Sequence, residues 1–147
     1  MRWRRPRNGA GDAMAEYTYT IEHVNHLRRE CLRLGCLAPE PFWSADASVL
    51  RSCYNGIGPE CWSSRLRNLV TRLLEPFEVA ALIHDFEYVT AHRSYGAFTL
   101  ANLRFGFNAI LEARSLRSWR LFRLGVLLAL LCQLFGWSAF RRANEGE

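Results

Sequence analysis

The sequence predicts an all-α chain, and three observations carry that prediction. Apolar residues recur at three- and four-residue steps, no stretch alternates convincingly with a period of two, and glycines and prolines fall between the periodic runs. The chain has 147 residues, 50% hydrophobic and 22% charged, a balance that supports one folded core and argues against disorder.

Taken in order, residues 1–16 read as a flexible basic extension, and Met14 opens a more structured stretch. From Thr20 to Leu34, the residues Ile21, Val24, Leu27, Cys31 and Leu34 share one helical face, and Gly35 supplies the stop. "APEPFWSADAS" follows, expected to be irregular because of its two prolines, with Phe42 and Trp43 as an aromatic anchor. Ser63 or Ser64 can cap a short helix that carries Leu66, Leu69, Val70, Leu73 and Leu74. Pro76 suits the first position of a further helix running to about His92, with Val79, Leu82, Ile83 and Phe86 inward. A turn at "RSYG" reverses the chain into a helix from about Ala97 to Arg114, with Phe98, Ala101, Phe105, Ala109 and Ile110 facing inward. Two long helices joined by a short turn pack antiparallel. Residues 17–114 are thus expected to form the main helical domain.

Residues 115–142 form a basic and apolar C-terminal helix on this reading. Leu124 to Phe140 carries no charge, and Arg123 and Arg141-Arg142 bracket it. That length is the lower limit for crossing a bilayer. Gln133, Gly136 and Ser138 dilute the apolar character, and Arg114, Arg117 and Arg120 make a basic stripe upstream. Three placements follow from these residues: packed in the core, lying in a membrane interface, or spanning the membrane.

The net charge is +5, and all nineteen basic residues are arginine. Arginine forks bind phosphate bidentately, which suits an anionic partner, although GC-rich coding also favours arginine. Nucleic acid is not expected as that partner, since no recognisable reading helix is present. Five cysteines at loose spacing, behind a basic N-terminus with no apolar signal-peptide core, point to a reducing compartment and not to a disulfide scaffold. His23, His26, Cys31 and Cys36 do not share a helix face, so no zinc site is expected there.

The chemistry gathers in two segments. "CYNGIGPE" places Gly56 and Gly58 in a polar loop, and "IHDFEYV" places His84, Asp85 and Tyr88 inside an apolar helix. His84 and Tyr88, four apart, share a face, while Asp85 points about a quarter-turn away. Asp85 alone would read as a surface carboxylate paired with Arg65 or Arg93, and His84 alone as a core histidine. A buried aspartate needs a cation or donors, and glycine loops can turn carbonyls inward. Carbonyls and one carboxylate form a hard oxygen cage suited to calcium, beside which a neutral histidine could activate water.

This combination resembles the phospholipase A2 superfamily, in particular its short bacterial and phage-encoded members, over roughly residues 50–112. The resemblance implies a phospholipase A2-like fold with a calcium loop preceding the two long helices. It implies Ca²⁺ held by the carbonyls of Tyr54, Gly56 and Gly58 and by the Asp85 carboxylate. It makes His84 the general base and has Tyr88 hydrogen-bond a second acid on the returning helix. There the sequence reads "ANLRF", so Asn102 stands where the family pattern has aspartate. Asparagine can still accept a hydrogen bond from the His84 ring but offers no charge. In the serine-protease triad the same change costs about 10⁴ in kcat. The activity implied is calcium-dependent hydrolysis, or binding, of glycerophospholipids at a membrane surface, reached through residues 124–140 and the basic stripe. Two alternatives accompany it: a catalytically silent relative of phage or mobile-element origin, and a small tail-anchored membrane protein.

Overall fold

Capping sets the first helix. The computed structural model describes residues 20–54 and 75–143. In α1 (Ile21–Leu34) the Thr20 hydroxyl accepts from the His23 amide, and Gly35 closes the C-terminus at φ 69°, a left-handed conformation natural to glycine. Val24, Leu27 and Cys31 form its buried stripe.

The proline segment is not irregular. Pro39 and Pro41 occupy the start of α2 (Glu40–Ser44), where a missing N–H costs nothing, and α3 (Ala47–Cys53) follows directly. The Arg28 guanidinium donates to the Phe42 and Ala45 carbonyls, tying this segment to α1. Phe42 is fully buried and meets Phe86 edge-on, which gives the aromatic anchor its socket.

A 3₁₀ turn (Glu75–Phe77) leads into α4 (Glu78–Thr90), and the turn after it ends one residue before α5 (Tyr95–Ser115). Tyr95 and Gly96 therefore belong to the helix. The reason is Ser94, whose hydroxyl accepts from the Ala97 amide and caps the helix two residues earlier than its apolar pattern suggests. Ile110, expected inward, is half-buried. Pairings between α4 and α5 run in opposite directions: Val79 and Ala80 meet Glu112, Glu87 meets Arg104, and Tyr88 meets Asn102. The two helices are antiparallel. Asn108, also buried on α5, uses both ends of its amide on the Leu37 backbone and so fastens the α1–α2 connection to α5.

Residues 115–142 do not form one helix. The apolar run is split into α6 (Trp119–Phe135) and α7 (Trp137–Ala143), bent by 71° about Gly136. No single helix among the described residues is long and apolar enough to cross a membrane, although the bent pair reaches that threshold by length and composition. One face of α6 packs antiparallel along α5. The helices approach closely because Gly106 faces Ala129 and Gly125 faces Ala109, where an added Cβ would come within 2.9 Å and 3.0 Å of those methyl groups. Phe140 of α7 is buried among Tyr88, Phe98 and Ala101. The opposite face of α6 leaves Leu127, Leu130, Leu134 and Phe135 exposed.

The described residues are thus all-α. Gly56 and Gly58, the helix expected after Ser63 or Ser64, and the basic extension at residues 1–16 lie outside them.

Glu112 stabilises the start of α4 from a neighbouring helix. Its carboxylate accepts from the Val79 and Ala80 amides at 3.2 Å and 3.0 Å, two donors that the first turn of a helix leaves unsatisfied. Burial pushes its pKa up to about 8 from 4.5, and the two backbone hydrogen bonds only partly offset that rise. The folded state therefore binds this proton more tightly than the unfolded chain, and its contribution to stability falls as pH rises from about 4.5 to 8. Glu112→Gln should flatten the stability–pH curve across that window, removing a decline on the order of a few kcal/mol. Denaturant melts at several pH values measure this. An unchanged slope would mean that Glu112 does not carry the dependence.

Candidate functional site

The site forms where α4, α5 and α6 meet. The four-residue spacing of His84 and Tyr88 brings their rings together on one face of α4, with centroids 4.0 Å apart and planes inclined at 40°. That face meets Asn102, which is 2% exposed, and the Asn102 carbonyl oxygen accepts twice. It lies 3.0 Å from His84 Nε2 and 2.9 Å from the Tyr88 hydroxyl, which donates to it. With the amide oxygen at Nε2, that ring nitrogen carries the proton and Nδ1 keeps its lone pair.

The structure therefore brings His84, Tyr88 and Asn102 into one hydrogen-bonded set. Phe105 closes one side of the imidazole, its ring 5.0 Å from that of His84, and Phe140 lies edge-on to Tyr88 at 5.1 Å. Burial pushes the Tyr88 phenol well above its usual range, so it stays protonated and can donate to Asn102.

Asp85 sits on the other side of the imidazole, its Oδ1 3.7 Å from His84 Nδ1. About a quarter of the side chain remains exposed at the surface. Protein nevertheless surrounds the carboxyl closely enough that desolvation raises its pKa, only partly offset by His84. The same carboxylate acts electrostatically on the Cys53 thiol at the end of α3. The Tyr54 ring is buried.

This chemistry fits a hard cation. Asp85 offers carboxylate oxygens in a partly desolvated position, and among the described residues its polar neighbour is a histidine. Gly56 and Gly58 lie outside the described residues. Among the described residues no three His, Cys, Asp or Glu side chains gather as a metal cage, and a site built from one carboxylate and backbone carbonyls would not form such a group. His23 of the zinc candidates pairs instead with Glu78 at 3.3 Å. Cys31, Cys36, Cys53 and Cys132 are free thiols.

Two contributors to the site were missed by sequence reasoning, and both come from the C-terminal segment. Gln133 of α6 accepts from Asn102 Nδ2 at 3.0 Å, and its own Nε2 lies 3.3 Å from Tyr95 Oη and from Thr99 Oγ1. Gly136 lies directly against Tyr88. No local pattern marks either residue, because Gln133 reads only as a polar interruption of an apolar run. Cys132, one turn from Gly136, is largely buried, and its thiol pKa is pushed up to about 11 by desolvation.

The chain matches no family model, no curated protein and no solved structure.

Gly136 offers a direct probe of how the C-terminal segment supports the site. A Cβ there would come within 2.7 Å of the Tyr88 hydroxyl and 2.4 Å of the Cys132 carbonyl oxygen. Neither neighbour is the loose end of a flexible chain, so the α6–α7 corner must shift. Gly136→Ala should lower stability by about 1–3 kcal/mol, despite alanine's better helix propensity. Thermal melts, with Gly96→Ala as a control where an added Cβ meets nothing within 4 Å, test this. Equal melting temperatures for the two variants would contradict the contact.

Proposed function

We propose that this chain is a calcium-dependent phospholipase A2-like protein that acts on glycerophospholipids at a membrane surface. The observation that carries the reading is the convergence of His84 Nε2 and the Tyr88 hydroxyl on one oxygen of Asn102. That is the position at which the resemblance expects the acid supporting the histidine.

His84 is the base of the proposed reaction. Its Nδ1 lone pair, on the Asp85 side of the ring, would take a proton from water as that water attacks an ester carbonyl. The ring becomes cationic, and Asn102 meets that charge with a carbonyl dipole where a carboxylate would meet it with a full charge. Tyr88 holds Asn102 in place. Asp85 with the carbonyls of Tyr54, Gly56 and Gly58 would hold Ca²⁺, which when bound supplies positive charge to the ester carbonyl oxygen.

Surface chemistry supports a lipid partner. From Arg114 to Ala143 the chain carries six arginines and no carboxylate. Leu127, Leu130, Leu134 and Phe135 stay exposed between the two basic ends of that segment. An apolar face flanked by arginines suits the boundary of an anionic bilayer. A second reading, a silent relative that binds lipid without turnover, is favoured by Asn102 itself.

Fatty-acid release from vesicles of mixed zwitterionic and anionic phospholipid, with and without chelator, decides between them. Asn102→Asp should raise calcium-dependent release roughly ten- to a thousandfold, because a carboxylate stabilises the imidazolium. Adding His84→Gln should erase the gain. A folded Asn102→Asp protein that hydrolyses no lipid, with or without calcium, would overturn the enzyme reading and leave lipid binding.

A further inference from the structure

Asn102 can hydrogen-bond its neighbours in two self-consistent ways. With its oxygen toward α4, it accepts from His84 Nε2–H and from Tyr88. With its nitrogen toward α4, it would donate to an unprotonated Nε2 and to the Tyr88 oxygen, and His84 would carry its proton on Nδ1. His84 and Tyr88 accommodate either arrangement, since an imidazole has two tautomers and a hydroxyl both donates and accepts. Two groups then decide: Asp85, whose carboxylate oxygen 3.7 Å from Nδ1 favours the Nδ1–H form, and whatever meets the other end of the amide and opposes it.

That residue is Gln133. We infer that Gln133 is a positioning residue that fixes the Asn102 amide with its oxygen toward His84, and thereby the His84 tautomer with a free Nδ1. Its Oε1 accepts from Asn102 Nδ2 at 3.0 Å. Its Nε2 supplies two N–H groups to the two hydroxyl oxygens of Tyr95 and Thr99, each at 3.3 Å. In this arrangement the donor end of the glutamine meets the two hydroxyls and its acceptor end meets Asn102. Asn102 is 2% exposed, so water does not substitute for Gln133 without a rearrangement. In consequence α6 is part of the site: it lies outside the segment that resembles a known family, yet it sets which ring nitrogen can act as a base. Aspartate at position 102 would need no such help, because either carboxylate oxygen accepts. Gln133 thus answers a requirement that the asparagine creates.

This inference rests on the proposed role of His84 for its functional meaning, but its test does not depend on activity. Nitrogen-15 spectra of the histidine-labelled full chain, recorded at a pH where the ring is neutral, report the tautomer directly, and His84→Gln assigns the signal. Wild type should show His84 protonated at Nε2. Gln133→Glu, which can only accept, should keep that tautomer. Gln133→Lys, which can only donate, should draw the Asn102 oxygen to itself and convert His84 to the Nδ1–H form. Gln133→Leu, which offers neither, should move the tautomer ratio toward Nδ1–H by roughly three- to tenfold, the factor supplied by one ordinary hydrogen bond.

A tautomer ratio unchanged within twofold in Gln133→Leu, or in any folded Gln133→Lys protein, overturns the inference. So does a wild-type ring protonated at Nδ1. Tautomer control by position 133 in a chain that releases no fatty acid would leave this inference standing while the enzyme reading fell. Hydrolysis with a tautomer indifferent to position 133 would do the reverse.

Discussion

The amide of Asn102 lies where three helices meet, and side chains from two of them depend on it. His84 and Tyr88 approach from α4, Gln133 approaches from α6, and each would lose a hydrogen-bond partner if position 102 were apolar. A buried polar group left without a partner costs about 1–3 kcal/mol, so a fully connected set specifies one arrangement while a broken set penalises several side chains together. The antiparallel register of α4, α5 and α6 is therefore tied to the same atoms that make up the candidate site. Small residues make this possible. Gly106 and Gly125 bring α5 and α6 close enough for side chains as short as asparagine and glutamine to meet, and Gly136 lets the corner after α6 close over the Tyr88 hydroxyl.

Other polar groups anchor the rest of the frame in the same manner. Asn108 clamps the backbone of Leu37, Glu112 collects the first amides of α4, and Glu87 pairs with Arg104 across the α4–α5 interface. Between these fixed points the core is aliphatic and aromatic. One cluster joins α1, α2, α3 and α4, and a second joins the C-terminal half of α5 to α6. The face of α6 turned away from α5 takes no part in either cluster. It combines exposed leucines with arginines at both ends of the segment, so the C-terminal segment supports the site on one side and presents on the other the face that we propose meets lipid.

Much of this was legible where local chemistry decides. Thr20 and Gly35 mark α1 within a residue, because capping and left-handed closure are properties of single positions. The meeting of His84, Tyr88 and Asn102 was legible only through the resemblance, which sets the two motifs opposite each other on successive helices. Where tertiary contacts decide, the sequence was silent. Gln133 is 31 residues from the asparagine it contacts and looks like a flaw in an apolar run. The bend at Gly136 follows from the placement of Tyr88 and Phe140 and not from any local breaker other than the glycine itself. Pro39 and Pro41 were read as irregular, although proline at the start of a helix is as natural as proline between helices.

At the site a histidine is oriented from behind by Asn102, with a partly desolvated carboxylate beside its other ring nitrogen. We propose that this carboxylate belongs to a calcium site together with the carbonyls of Tyr54, Gly56 and Gly58. Thermal melting of wild type and Asp85→Asn across a calcium titration tests that claim most directly, because an ion that binds only the folded site stabilises it by mass action. The account predicts a wild-type midpoint that rises with calcium, by an amount equivalent to about 2.7 kcal/mol at a hundredfold excess over Kd, and an Asp85→Asn midpoint that does not respond. Equal shifts in both proteins, or no shift in wild type, would contradict it.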